Sequence, residues 1–172
     1  MKYISIPTAI KQANQFVADH HRHHKPVYAA RFAVGCIRPG EDELVGVAIA
    51  GNPVARALAD GFTLEINRVA VKEGNPNACS FLISRVVKIA RVMGYDRIYS
   101  CILDSENGAS LSSAGFFMDG LIKGKTWSHP SRIRTDKHPV CDKKRYCLQL
   151  TPFIRNDKGK IIAERPRKKK VL

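Results

Sequence analysis

The residues most suited to chemistry lie between positions 64 and 80, where LEINRVAV is followed by KEGNPN and then by the helix-like ACSFLI. If the first run is a strand, Thr63, Glu65, Asn67, Val69 and Val71 share one face, and Leu64, Ile66, Arg68 and Ala70 share the other. One face then pairs a carboxylate with an amide. A half-buried Glu65 with a raised pKa can take a proton from a nucleophile directly or through water, while Asn67 orients the substrate or that water. The competing reading is structural, with Glu65 paired to an arginine and Asn67 satisfying a backbone group. In the loop, Asn75 and Pro76 make a helix start. The backbone N–H groups around Asn77, Ala78, Cys79 and Ser80 then have no partner inside the helix and suit a phosphate. This unit predicts an enzyme that holds a phosphorylated cofactor.

Three other groups of residues merit the same scrutiny. In HHRHHK, His20, His23 and His24 share a helical face if the helix persists to Lys25, which could present nitrogens to a metal. Arg22 and Lys25 would repel a cation and no matching Cys, Asp or Glu is identifiable, so no metal is expected. His23 and His24 remain candidates for substrate or phosphate contact, beside the plainer reading of a solvated helix end. Trp127, Ser128, His129, Arg132, Arg134, Lys137 and His138 combine cations with one flat ring in an irregular stretch. That suits gripping a nucleic-acid strand, although arginine-rich loops also bind a nucleotide cofactor's phosphate or stay wet. Cys101 and Ser112 offer a thiol and a hydroxyl as nucleophile or acid, but Cys101 lies in an apolar strand and reads as core. Cys79 is the cysteine placed to gain acidity from a helix start.

The elements around these residues alternate. A short edge strand at 3–6 precedes a helix that carries Ile10, Ala13, Phe16 and Val17 at helical spacing and stops by Pro26. RFAVGCIR and LVGVAIAG flank the turn PGEDE and predict an antiparallel hairpin. Asn52 and Pro53 suggest a short helix or turn ending at Gly61. After the central strand, Cys79, Leu82, Ile83, Val86, Val87, Ile89, Ala90 and Met93 give a wide apolar helix face that Gly94 closes. RIYSCIL then predicts a strand, 109–114 a short helix, 116–122 a strand and RYCLQL a closing strand. The fold class is α/β, with one domain over 1–150 and a basic extension over 151–172, partly ordered.

Charge sorts the possible partners. The last 52 residues hold 16 Lys or Arg against 4 Asp or Glu, +12 of a total of +14. A nearly neutral body with a basic C-terminal third predicts a polyanionic partner, nucleic acid first, or else a solubilising tail. No run of 18 apolar residues predicts a membrane span. The N-terminal residues lack an apolar signal core, and five irregularly spaced cysteines suggest neither a disulfide framework nor a zinc ribbon. A reducing cytoplasm is the expected compartment.

The order of elements resembles the GNAT superfamily of acyl-CoA-dependent N-acyltransferases over 1–150. EINRVAV resembles its central strand, GNPNACS its pyrophosphate turn, and NGASLSSAGF the region that reads asparagine, short helix, Gly-Phe. The resemblance implies a mixed, mainly antiparallel sheet flanked by helices, with acetyl-CoA or another acyl-CoA as cofactor. Backbone groups of Val69, Ala70 and Val71 would hold the pantetheine arm, with Asn107 beside it, and Glu65 would be the general base for an amine. Two departures stand out. Gly74 is the one glycine of the turn, and Leu111 occupies the position where many members carry a tyrosine acid. The NACS helix start is similar to phage Mom-type DNA-modification proteins, and HHRHHK, NPVARAL, NACSFL and SRIRTDKHP look like uncharacterised GNAT-like proteins of phages and mobile elements. That resemblance implies DNA as acceptor. Protein lysine or small-amine acylation is the enzymatic alternative, and a catalytically degenerate nucleic-acid-binding module is the other.

Overall fold

The computed structural model describes residues 2–21, 25–124, 131, 133, 140–151, 153–156 and 160–164, with the side chains of 154, 155 and 164 left aside. His23, His24, Trp127, Arg132, Arg134, Lys137 and His138, with Ser128 and His129, lie outside the described residues. The strands are β1 (Ile4–Pro7), β2 (Phe32–Ile37), β3 (Gly46–Gly51), β4 (Thr63–Val71), β5 (Arg97–Leu103), β6 (Phe117–Ile122) and β7 (Lys143–Gln149). They form one sheet in the order β1-β2-β3-β4-β5-β7-β6. Every pairing is antiparallel except β4 with β5. The helices are α1 (Ile10–His20), α2 (Ala78–Val92) and α3 (Ala109–Ser113). None among the described residues is long and apolar enough to cross a membrane.

The parallel pair requires a crossover, and α2 is that crossover. Leu82, Ile83, Val86, Val87 and Ala90 are buried on one face of α2, against Ala48, Ala50, Leu64, Ile66 and Ile98 of the sheet. Each aliphatic side chain buried in full stabilises by about 1.5–3 kcal/mol, so this face fixes where α2 begins. Gly94, at φ 79°, ends the helix in a left-handed turn, and the Tyr95 N–H donates to the Ala90 carbonyl at 3.0 Å. On the other face of the sheet, Ala13, Phe16 and Val17 of α1 pack on Val47, Ile49 and Ala70. The chain after α1 is tied back by Asn14. Its Nδ2 donates to Val27 O at 3.0 Å and its Oδ1 accepts from Val27 N–H at 2.9 Å.

Two expectations change. α1 stops at His20, and His21 is already extended (φ −88°, ψ 122°), so the continuous helical face needed to align His20, His23 and His24 is absent. The short helix after Asn52 is a single 3₁₀ turn, Arg56–Leu58, and Asn52 instead accepts a hydrogen bond from Arg31 Nε at 3.0 Å. In the C-terminal extension, β8 (Phe153–Arg155) pairs with β9 (Ile161–Glu164) in a separate ribbon. Phe153 and Ile154 in one strand and Ile161 and Ile162 in the other are residue types that favour a strand.

Candidate active site

β4 is the strand from which the site is built, and it is not regular. Opposite β3, Ile49 pairs with Arg68 and Ala50 with Ile66, which leaves Asn67 as the extra residue of a β-bulge. Strict alternation is therefore broken. Leu64 and Ile66 face the α2 side, but beyond the bulge that side receives Val69 and Val71, while Ala70 joins the α1-side core. The expected face of Thr63, Glu65, Asn67, Val69 and Val71 is thus corrected. Arg68, paired with Ile49 of the α1-side core, joins Glu65 and Asn67 in place of the two valines.

The bulge coincides with the end of parallel pairing. Thr63 to Ile66 pair with Arg97 to Ser100 residue by residue. β5 pairs with β7 along its whole length, Arg97 to Leu103, but with β4 only as far as Ser100, and among the described residues no strand pairs 67–71 on the β5 side. A wedge opens between the strands there. The backbone of Val69, Ala70 and Val71 lines its β4 edge.

Glu65 stands where the wedge begins. Its Oε2 accepts the Val54 N–H at 2.7 Å, so the residues before the 3₁₀ turn hold the carboxylate in place. Burial raises its pKa above the usual carboxylate range, against the opposing pull of the Val54 N–H and the positive Arg68 and Lys143. Cys101 lies close enough to feel that charge. Burial, then Glu65, pushes its thiol up to about 11, which leaves it protonated and a poor nucleophile at neutral pH. Arg68 is half-buried and spends its donors on carbonyls, with Nε on Lys25 O at 2.9 Å and Nη1 on Asn67 O at 2.6 Å. It thereby ties Lys25, the last residue of HHRHHK, to the mouth of the site. Asn67 Oδ1 is buried without a hydrogen-bond partner among the described residues. It sits 2.9 Å from where a Cβ on Gly51 would stand, so glycine at 51 leaves it room.

The turn from β4 into α2 differs from its expected form. Asn75 is not the helix cap. Its Nδ2 donates to Lys72 O and Glu73 O at 3.1 and 3.2 Å, and its Oδ1 accepts from Arg38 Nε at 3.0 Å, so it braces the loop. Asn77 precedes the helix in a left-handed conformation (φ 63°), and Gly74 is left-handed as well (φ 76°). Pro76 O accepts the Tyr3 hydroxyl at 2.9 Å, which locks the turn to β1. The first i to i−4 helical bond is Phe81 N–H to Asn77 O at 2.9 Å, and the Ala78 N–H donates to Asn75 O at 3.3 Å, so the Cys79 and Ser80 amides are those that precede regular helical bonding. Left-handed residues followed by a helix start bring backbone N–H groups together into a concavity that suits an anion.

Across the wedge, Asn107 is exposed and its Oδ1 accepts the Ala109 N–H at 3.0 Å. Leu111 is buried in the α2-side core, and the hydroxyl near the start of α3 belongs to Tyr146 of β7, 3.5 Å from Asn107 O. Gly108, at φ 68°, leaves room for that hydroxyl, which a Cβ there would meet at 2.3 Å. Ser112 is exposed on α3, on the α2 side of the sheet, whereas Glu65 faces the α1 side. The structure therefore brings Glu65, Asn67 and the 69–71 edge together and leaves Ser112 apart. Arg68, Lys143 and Cys101 complete the surroundings of Glu65, and sequence reasoning gave none of them a place there. The adjacent polar pair Asn67-Arg68 in an otherwise alternating run was the available sign of the bulge.

No protein-family model matches the chain, and no curated protein matches it. Solved structures do. The IAA acetyltransferase from Bacillus cereus superposes with a TM-score of 0.63 at 14% identity, over 87% of this chain and 100% of its own. The fold is that of the GNAT acetyltransferases. A GNAT superfamily phosphinothricin acetyltransferase from Sinorhizobium meliloti, in complex with AcCoA, gives 0.64 at 13% identity over 87% and 89% of the two chains. The ribosomal-protein-S18-alanine N-acetyltransferase from Escherichia coli gives 0.59 at 11% over 87% and 94%.

Proposed function

We propose that this chain is an acyl-CoA-dependent N-acyltransferase of the cytoplasm that acylates nucleic acid, in the manner of Mom-type DNA-modification proteins. Residues 1–150 are its catalytic domain and 151–172 a basic extension toward the polyanion. The observation that supports acyl-CoA most strongly is the wedge at 67–71, where a strand edge without a strand partner among the described residues leads to a helix start four residues past a left-handed glycine. The pantetheine arm carries amides that suit a strand edge, and a pyrophosphate suits the start of a helix.

Bound acyl-CoA supplies an acyl carbon activated as a thioester. The backbone of Val69, Ala70 and Val71 aligns the arm, and the turn with Asn75, Asn77, Ala78, Cys79 and Ser80 receives the diphosphate, with Asn107 closing from α3. Glu65 takes the proton that the acceptor amine loses as its nitrogen forms the bond to the acyl carbon and the carbon–sulfur bond breaks. Its raised pKa makes it a stronger base than an ordinary carboxylate. The positive Arg68 and Lys143 beside it disfavour an ammonium, which keeps an arriving amine neutral. Asn67 orients the acceptor. Ser112, a candidate nucleophile or acid by its hydroxyl, lies on the other side of the sheet from Glu65 and takes no part in this proton transfer.

Nucleic acid is favoured as acceptor because +12 of the +14 charge lies in residues 121–172. His23, His24, Trp127, Arg132, Arg134, Lys137 and His138 are the residues proposed to meet it. Nucleoside mass spectrometry of DNA from cells expressing the protein is expected to reveal an acylated base. An unchanged nucleoside profile, with acetyl-CoA still bound and turned over on peptides or small amines, would move the acceptor to that class. The S18-alanine N-acetyltransferase among the structural neighbours supports that second reading.

A further inference from the structure

β6 ends the sheet, and its outer edge has no strand partner among the described residues. An open edge offers a row of backbone N–H and C=O groups to any strand that arrives, and proteins usually blunt it with charge, proline or shortness. The opposite edge follows that rule, because β1 has four residues and ends in Pro7. β6 does not. Its six residues, FMDGLI, carry one charge, and Asp119 turns it inward onto Arg145 at 2.6 Å. Phe117, Met118, Leu121 and Ile122 are 49%, 47%, 63% and 39% exposed.

The pairing with β7 decides which face each residue takes. Phe117 stands opposite Cys147 and Ile122 opposite Lys143 on the α1 side, whereas Met118 stands opposite Tyr146 and Leu121 opposite Lys144 on the α2 side. Strict alternation would put 117 and 122 on opposite faces. Asp119, the extra residue of a bulge between Met118 and Gly120, puts them on the same one. The strand thereby reads the same from both ends. A second copy running antiparallel sets Phe117 against Ile122 and Met118 against Leu121, apolar on apolar on both faces. Asp119 then meets Gly120, which has no side chain.

Charge points to the same occupant. The chain carries +14, so two copies repel over most of their surface. Around β6, however, Arg145 is paired with Asp119, Lys144 with Asp104 and Lys123 with Asp142. Lys143, without an ion pair among the described residues, acts on Glu65. A neutral, apolar edge suits a copy of itself and offers little to a polyanion. We propose that this protein dimerises through β6, two copies joining edge to edge about a two-fold axis into one sheet with seven strands from each. The proposal does not depend on the acyl-CoA reading.

The interface is small, so association is expected with a Kd of about 1–100 μM. Sedimentation velocity on the nuclease-treated full chain over a concentration series measures it, for the wild type, Leu121→Lys and Met118→Lys, with melting temperatures recorded at the lowest concentration. The wild type should pass from monomer to dimer and keep doing so at high salt, because apolar contacts hold it. Each variant should stay monomeric and melt like the dilute wild type, since both positions are exposed. Should one variant melt lower, the other variant and a cross-link decide. Met118→Cys mixed with Leu121→Cys and mildly oxidised should give a cross-linked dimer beyond the level of the wild type or of either variant alone, and no such excess overturns the register. A wild type still monomeric at about ten times the upper Kd overturns the proposal. Association that survives both lysine variants, or vanishes with salt, overturns it too. A monomer whose β6 amides exchange as slowly as those of β7 has its edge covered by its own chain, which also overturns it.

Discussion

Glu65→Gln lowers kcat/KM for acyl transfer by about 10²–10⁴-fold, the range that a positioned general base contributes, and leaves the Kd for acetyl-CoA near the wild-type value. The wild-type kcat/KM should rise with pH through an apparent pKa above the ordinary carboxylate range, because the active form is the carboxylate and burial holds its pKa up. The same burial has an opposite signature in stability. A folded-state pKa raised above the unfolded value means that the native state binds the extra proton. The stabilisation is complete below the unfolded pKa and is lost as pH rises through the folded one. Glu65→Gln should therefore melt like the wild type in acid and at a higher temperature than the wild type near neutrality. Its amide oxygen still accepts the Val54 N–H. A pH–rate profile and melting curves at acidic and neutral pH check both. A rate unchanged by the substitution would return Glu65 to a structural role.

Leu82→Ala destabilises by about 2–5 kcal/mol, the cost of removing a fully buried leucine and leaving a cavity. For a chain of this length that corresponds to a fall in Tm of about 2–4 °C per kcal/mol. Leu82 lies in the α2-side core one turn past the helix start, and its Cδ1 is 3.0 Å from where a Cβ on Gly46 would stand. Helix and sheet meet closely there, so the loss reaches the turn as well as the core. The variant should bind acetyl-CoA more weakly at temperatures where it remains folded. Thermal denaturation with and without the ligand measures the two effects together.

The parts of the fold that were legible in the sequence are those set by periodicity and punctuation. α2 was marked by eight apolar residues at helical spacing between Pro76 and Gly94, and the β2–β3 hairpin by two apolar runs around PGEDE. The site was legible only in outline. Glu65 and the Asn75 to Ser80 turn were visible because residue type and a helix start announce them. The faces of β4 were not, because one bulge residue at Asn67 reverses every later position, and periodicity rules do not register a single insertion. Asn75 looked like a cap from its place before proline, but its side chain was claimed by Arg38, 37 residues away. Arg68 comes to the Glu65 face through the bulge, while Cys101 and Lys143 lie on β5 and β7, and only the tertiary pairing brings those two near Glu65. The same holds for Tyr146, whose hydroxyl reaches the start of α3 where the resemblance led one to look at Leu111.

Acyl-CoA binding in the wedge between β4 and β5 is the claim on which the rest depends. Amide hydrogen exchange of the full chain, with and without saturating acetyl-CoA, tests it most directly. Protection is expected at amides within 67–71, along the strand edge that lacks a strand partner among the described residues, and at 78–80 in the first turn of α2. Exchange that stays the same at both segments in the presence of the thioester would contradict it.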